Sequence, residues 1–195
     1  MTNEEVFKVK NEQQLIALEA WKESGFRATL MAATAFGKSR MGVIAAGTFI
    51  NRNPSERWLI LVPTINLRDQ WEKEFIKWGY KKVLPNVEII CYQSAYKLNN
   101  EYYHGIIADE VHAGISFEYK KVFTHNQYAR VMTLTATIDD PEKKLFLESI
   151  APIVYQMTIK RALELGLVCD YKMYNLAVPF NTVDLNKYKT NQSSY

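Results

Sequence analysis

Apolar residues in this chain gather in short runs, and between the runs they recur every third or fourth position. The runs are Ala28–Ala33, Trp58–Pro63, Val87–Tyr92, Gly105–Ala108 and Arg130–Thr135. Unbroken apolar runs of this length predict strands covered on both faces, as in a parallel sheet. Met41, Ile44, Ala45, Thr48 and Phe49 fall at helical spacing, as do Leu67, Trp71, Phe75 and Trp78. Asp140-Pro141 predicts a helix start, an acidic N-cap before a proline at the first helical position, with Leu145, Phe146 and Ile150 following. The Trp and Phe residues of these stripes are assigned to the core. Strands alternating with helices predict βαβ units, an α/β fold with a mostly parallel sheet and helices on both faces.

After about Gly166 the pattern changes. Tyr171–Val178 predicts one more strand, and Asn181–Tyr195 is polar and aperiodic, a linker or tail. The expected division is a domain over 1–168 and a strand with linker over 169–195.

Composition narrows the class. At 195 residues, with 48% hydrophobic and 23% charged, the chain suits one soluble domain with a core of its own. Its apolar runs are far shorter than the roughly 20 residues of a membrane span. Thr2-Asn3-Glu4-Glu5 is acidic where a signal peptide would be basic and then apolar. A cytoplasmic protein with no membrane partner is expected. Cys91 and Cys169 have no CxxC partner and are expected to be buried, reduced thiols; His104, His112 and His125 have no ligand spacing to them, so no zinc site is expected. The net charge of +3 permits nucleic-acid binding without arguing for it. Trp78-Gly79-Tyr80-Lys81-Lys82 and Tyr119-Lys120-Lys121 read first as solvated faces, and second as added positive charge for a polymer.

Two motifs carry chemistry. Gly37-Lys38-Ser39 lies between a predicted strand and a predicted helix, where backbone N–H groups and a helix N-terminus can cradle a polyphosphate. Lys38 would reach the outer phosphates and the Ser39 hydroxyl would hold Mg²⁺. The other reading is a chance strand–turn–helix. About 70 residues later the strand Gly105–Ala108 ends in Asp109-Glu110, followed by Val111-His112. Acids at the C-terminal edge of a parallel sheet can hold Mg²⁺ and activate a water. Alone, such a pair could also be a helix cap.

Taken together the motifs resemble superfamily 2 helicases of the DExH type, nearest the restriction-subunit and DNA-repair-like branch that includes phage recombination helicases. The resemblance spans nearly the whole chain. Ala32-Ala33-Thr34-Ala35-Phe36-Gly37-Lys38-Ser39 is similar to that superfamily's phosphate loop, with Ala35-Phe36 where smaller residues are usual. Gln14 resembles the adenine-reading glutamine, although the usual Arg three residues earlier is Asn11. Leu61-Val62-Pro63-Thr64 with Gln70-Trp71 resembles motif Ia. Cys91-Tyr92-Gln93-Ser94 resembles motif Ib, with Cys91 in place of Thr. Leu134-Thr135-Ala136-Thr137 resembles motif III, with Ile138 in place of Pro.

The resemblance implies a RecA-like P-loop NTPase domain using ATP and Mg²⁺. Gln14, Thr34, Ala35, Phe36, Gly37, Lys38, Ser39 and Arg40 would contact the nucleotide, and Ser39 and Asp109 the metal. Lys38, Asp109 and Glu110 would be catalytic. His112, Thr135 and Thr137 would couple nucleotide to polymer. Pro63, Thr64, Arg68, Tyr92, Gln93 and Ser94 would face a nucleic-acid backbone, DNA more than RNA. A bacterial or phage-infected cytoplasm is implied. Such motors need a second RecA-like domain, toward which Thr158–Asp170 and Tyr171–Val178 resemble the leading segment. The chain alone is expected to bind ATP–Mg²⁺ weakly and hydrolyse it poorly. Two other readings stay open: a lone RecA-like module that regulates a partner without turnover, and a different P-loop NTPase such as a kinase.

Overall fold

The computed structural model describes residues 2–33, 36–114 and 120–168. Thr34, Ala35, Tyr119, Cys169 and the expected strand and tail at 171–195 lie outside the described residues. Among the described residues six parallel strands form one sheet: β1 (Arg27–Ala32), β2 (Trp58–Val62), β3 (Val87–Cys91), β4 (Tyr102–Ala108), β5 (Gln127–Thr135) and β6 (Ile153–Met157). Their order is β3-β2-β4-β5-β1-β6.

Successive side chains of a strand point to opposite faces, so a strand buried on both sides must be apolar throughout. In β2, Trp58, Ile60 and Val62 join one core cluster while Leu59 and Leu61 join the other. The first cluster is closed by α1 (Asn3–Glu23), α2 (Lys38–Arg52), α3 (Ile65–Lys77) and α8 (Ile159–Glu164). The second is closed by the short α4 (Tyr92–Ala95), α5 (Val111–Gly114) and α6 (Lys121–Thr124), and by α7 (Pro141–Ile150). Among the described residues no helix is long and apolar enough to cross a membrane.

The five expected strands are present. β6 and most of α1 were not foreseen. β3 is an edge strand, half-buried along its length, so Cys91 is a free, half-buried thiol and not a buried one. In α7 the expected Leu145 is 74% exposed, and Leu147 takes the buried place against the sheet. Trp78, assigned to the core, is half-buried at the rim of a cleft.

Candidate functional site

Because every strand runs the same way, the loops after β1, β2, β3, β4 and β5 meet at one edge of the sheet. At that edge Gly37 caps α2 with φ 84°, in the left-handed region that side chains disfavour by about 1–2 kcal/mol. A Cβ there would also come within 2.6 Å of Gln14 Nε2. Glycine is thus required by backbone conformation and by crowding.

Gln14 is 2% exposed and fully engaged within the chain. Its amide nitrogen donates to the carbonyls of Phe36 (2.6 Å) and Gly37 (3.4 Å), and its amide oxygen accepts from Arg40 Nη1. Arg40 Nη2 donates to Asn11 Oδ1 at 2.7 Å, and the guanidinium lies 4.4 Å from the Trp78 ring centroid. Phe36, the unusual aromatic of the loop, is buried and stacks on Tyr155 of β6 with centroids 6.0 Å apart.

Lys38 is 8% exposed. Its ammonium donates to the Ala32 carbonyl at 3.2 Å and lies 3.3 Å from Glu110 Oε1. Asp109 is buried at the end of β4; Oδ2 accepts from Trp71 Nε1 at 2.8 Å and Oδ1 from the Glu110 N–H at 3.0 Å. Burial, and secondarily the Glu110 charge, push the Asp109 carboxyl up to about 6, against the Trp71 hydrogen bond and the Lys38 charge. Glu110 has φ 46°, so the chain turns sharply just after the strand. Its Oε2 is buried without a hydrogen bond, 3.4 Å from His112 Nδ1.

His112 Nδ1 lies 2.9 Å from Thr135 Oγ1, whose hydroxyl in turn donates to the Thr137 carbonyl at 2.9 Å. A hydroxyl has one proton, so Thr135 accepts from His112, which assigns the Nδ1–H form to a neutral ring. The loops after β4 and β5 are thereby tied.

Gly37, Lys38, Ser39, Asp109 and Glu110 line one cleft of about 490 Å³ together with Gln14, Arg40 and Trp78. A buried ammonium, a helix N-terminus, a serine hydroxyl and a buried carboxylate are the donor set that a polyphosphate with a hard divalent cation requires. The left-handed Gly37, where a Cβ would strike Gln14, keeps that cradle open for close approach.

The candidate polymer contacts lie on the two neighbouring loops. Thr64 caps α3, accepting from the Leu67 N–H at 3.4 Å, and Gln93 Nε2 donates to the Pro63 carbonyl at 3.5 Å. Arg68 is partly exposed and paired with Asp69 at 3.2 Å. Gln93 and Ser94 are exposed. Tyr92 departs from expectation: it is 1% exposed, and its hydroxyl donates to the Asp109 carbonyl at 2.9 Å. Its ring faces the core and cannot reach a polymer. Trp71 was read only as a core residue and as part of motif Ia, and its bond to Asp109 was missed. The signal was present, since a buried indole N–H must find an acceptor.

The model of the family described as "Type III restriction enzyme, res subunit" matches residues 7–140. The chain is 30% identical over 146 residues to the DNA 3'-5' translocase XPB2 of Sulfurisphaera tokodaii, covering 67% of this chain and 33% of that protein. It thus spans about a third of the length of this curated relative. The UvsW helicase from bacteriophage T4 superposes with a TM-score of 0.61 at 18% identity, covering 72% of this chain and 58% of that one. The Sulfolobus solfataricus SWI2/SNF2 ATPase core, solved with double-stranded DNA, gives 0.54 at 15% identity, covering 74% and 34%. The chain therefore belongs to the family of the type III restriction enzyme res subunit and carries the RecA-like domain fold of superfamily 2 helicases.

Proposed function

We propose that this chain is the nucleotide-gripping half of an ATP-dependent motor of the DExH type that moves on DNA when joined to a second RecA-like domain. The observation that carries this reading is the meeting of Lys38, after β1, with Glu110, after β4, in a cleft that also holds Asp109 and Ser39. A kinase has no need of the Thr135–His112 link or of the Pro63-Thr64 loop with its exposed threonine. A regulatory module without turnover would have no chemical use for Glu110.

In this reading Lys38 and the first turn of α2 hold the triphosphate. Ser39 and Asp109 hold Mg²⁺, which would neutralise charge on the phosphates. Glu110, released from Lys38 when the ammonium turns to phosphate, orients the attacking water and accepts its proton. Thr64, Arg68, Gln93 and Ser94 offer hydroxyl, guanidinium and amide donors to a nucleic-acid backbone, contacts that carry no sequence information. DNA is favoured over RNA because the relatives named above are a DNA translocase and a DNA-bound ATPase core. The second domain would supply the arginine that such transition states use, worth on the order of 10³–10⁵ in rate.

The test compares ATP hydrolysis by this chain alone with hydrolysis by the same chain fused to a second RecA-like domain, each with and without duplex DNA. Strong DNA-stimulated turnover is expected only from the fused protein. Equal, DNA-independent rates from both would sink the motor reading.

A further inference from the structure

Trp71 occupies a place that neither the nucleotide site nor the polymer loops account for separately. It lies on the second turn of a helix whose N-cap is the polymer candidate Thr64 and whose first turn ends at Arg68. It is 1% exposed. On one side its indole N–H donates to Asp109 Oδ2 at 2.8 Å. On the other it packs against α2 so tightly that a Cβ at Gly42 would stand 2.5 Å from Cη2. One side chain thus touches the helix that begins at the phosphate loop and the carboxylate at the end of β4.

Asp109 is held from a second polymer loop as well. The Tyr92 hydroxyl donates to its carbonyl at 2.9 Å, one residue before the exposed Gln93. The Glu110 N–H takes the remaining carboxylate oxygen at 3.0 Å. From outside β4, the Asp109 N–H also donates to the Leu61 carbonyl of β2 at 2.8 Å, and the two side-chain clamps come from α3 and from the start of α4, the elements that follow β2 and β3.

We propose that Trp71 is a positioning residue that ties polymer occupancy at the start of α3 to the orientation of the Asp109 carboxylate, with Tyr92 as its second anchor. The proposal rests on the reading of Asp109 as a metal-holding group. A helix is stiff over the seven residues from Thr64 to Trp71, about 10 Å of rise, so a shift at Thr64 carries the indole with it. A hydrogen bond to a buried carboxylate is short and directional, so the oxygens follow. Loss of the N–H leaves the carboxylate free to turn, and the lone pairs that a hard cation needs are no longer aimed.

The test uses this chain, a non-hydrolysable fluorescent ATP analogue and a duplex oligonucleotide. Analogue binding is measured in EDTA and then across a Mg²⁺ titration, with and without DNA. In the wild type, DNA is expected to lower the Mg²⁺ concentration for half-effect. Trp71→Phe keeps a ring against Gly42 and deletes the donor. It is expected to raise the Mg²⁺ requirement about tenfold, the size of one hydrogen bond to a charged group, and to abolish the DNA effect. Binding in EDTA is expected to stay unchanged, which a merely structural role would not allow. Tyr92→Phe removes a single hydroxyl and is expected to shift the same titration in the same direction, should the first variant fold poorly. A Mg²⁺ titration unmoved in both variants, or analogue binding lost equally in EDTA, overturns the proposal. A wild-type chain that binds no analogue under any condition overturns the nucleotide-site reading beneath it.

Discussion

Lys38 and Glu110 stand 3.3 Å apart although 72 positions separate them, and each belongs to a different role in the proposed chemistry. The pair also tells the two roles apart. Removing the Lys38 ammonium is expected to weaken nucleotide binding about tenfold or more, because a charge-assisted contact to phosphate is lost. Glu110→Gln is expected to leave binding intact and to lower hydrolysis by the fused two-domain protein by about a hundredfold or more. Nucleotide titration and single-turnover hydrolysis on both variants check this. Undiminished hydrolysis in Glu110→Gln would remove it from the mechanism.

Asp109 gives a pH dependence whose sign is fixed by its burial. Its carboxyl is raised from 3.8 to about 6 in the folded chain, so the folded state binds the proton more tightly than the unfolded one. The resulting stabilisation is fully present below about 3.8 and is lost as pH rises through about 6. Asp109→Asn abolishes that loss. The metal-free variant is expected to be more stable than the wild type at pH 8, by on the order of 1–3 kcal/mol, with the gap closing as pH falls from 6 toward 4. Thermal melts in EDTA across that range measure it, and a gap independent of pH would contradict it. Mg²⁺-dependent nucleotide binding in the wild type should correspondingly weaken below pH 6, where proton and metal compete for one carboxylate.

Arg40 holds the amide oxygen that Gln14 would offer to a base. While that contact persists, discrimination between ATP and GTP is expected to stay within about tenfold, because no unsatisfied polar edge is waiting to reject the wrong base. Arg40→Ala frees the oxygen and is expected to widen the preference for ATP while leaving inorganic tripolyphosphate binding unchanged. Competition titrations with the three ligands decide the matter. An unaltered ATP-to-GTP ratio would show that Gln14 takes no part in base reading.

Gly42→Ala drives a methyl group into the Trp71 ring, backed by the core. Overpacking of this kind is expected to destabilise the chain by about 1–3 kcal/mol, read from denaturant unfolding. Gly79→Ala is the control. It faces open space but has φ 82°, so only the smaller backbone strain applies. Equal losses in the two would mean that the Trp71 contact is loose.

The inner strands were legible because β2 is buried and apolar throughout, and β4 and β5 are buried on both faces toward their C-terminal ends. β6 was not. It is an edge strand of five residues whose Ile153, Val154 and Tyr155 are only half-buried, so its apolar signal is short. α1 was hidden for a related reason. Of its 21 residues only Gln14, Ala17 and Trp21 are buried, which leaves little periodicity to read. The meeting of Lys38 with Glu110 was legible because each follows a predicted parallel strand, and such strand ends share one edge of the sheet. The core place of Trp71 was legible, but neither its bond to Asp109 nor the burial of Tyr92 was, because sequence does not show which carbonyl or carboxylate an aromatic polar atom meets. Arg40 was placed near the nucleotide, but its stacking on Trp78 depends on how α2 and α3 cross, which no local pattern encodes.

The stacking of Phe36 on Tyr155 has a mechanical side. Among the described residues β6 pairs with β1 alone, and the Ala33 N–H donates to the Met157 carbonyl at 3.1 Å, where both strands end. A pull on the chain at Met157 loads this seam together with the packing of β6 on α1, where the Tyr155 hydroxyl donates to Gln13 at 3.2 Å. That load falls on the β6–β1 hydrogen bonds and on the Phe36–Tyr155 contact before it reaches the other strands. Among the described residues the strand at this edge is then the fuse of the fold, and the proposed phosphate loop is wired to it through Phe36.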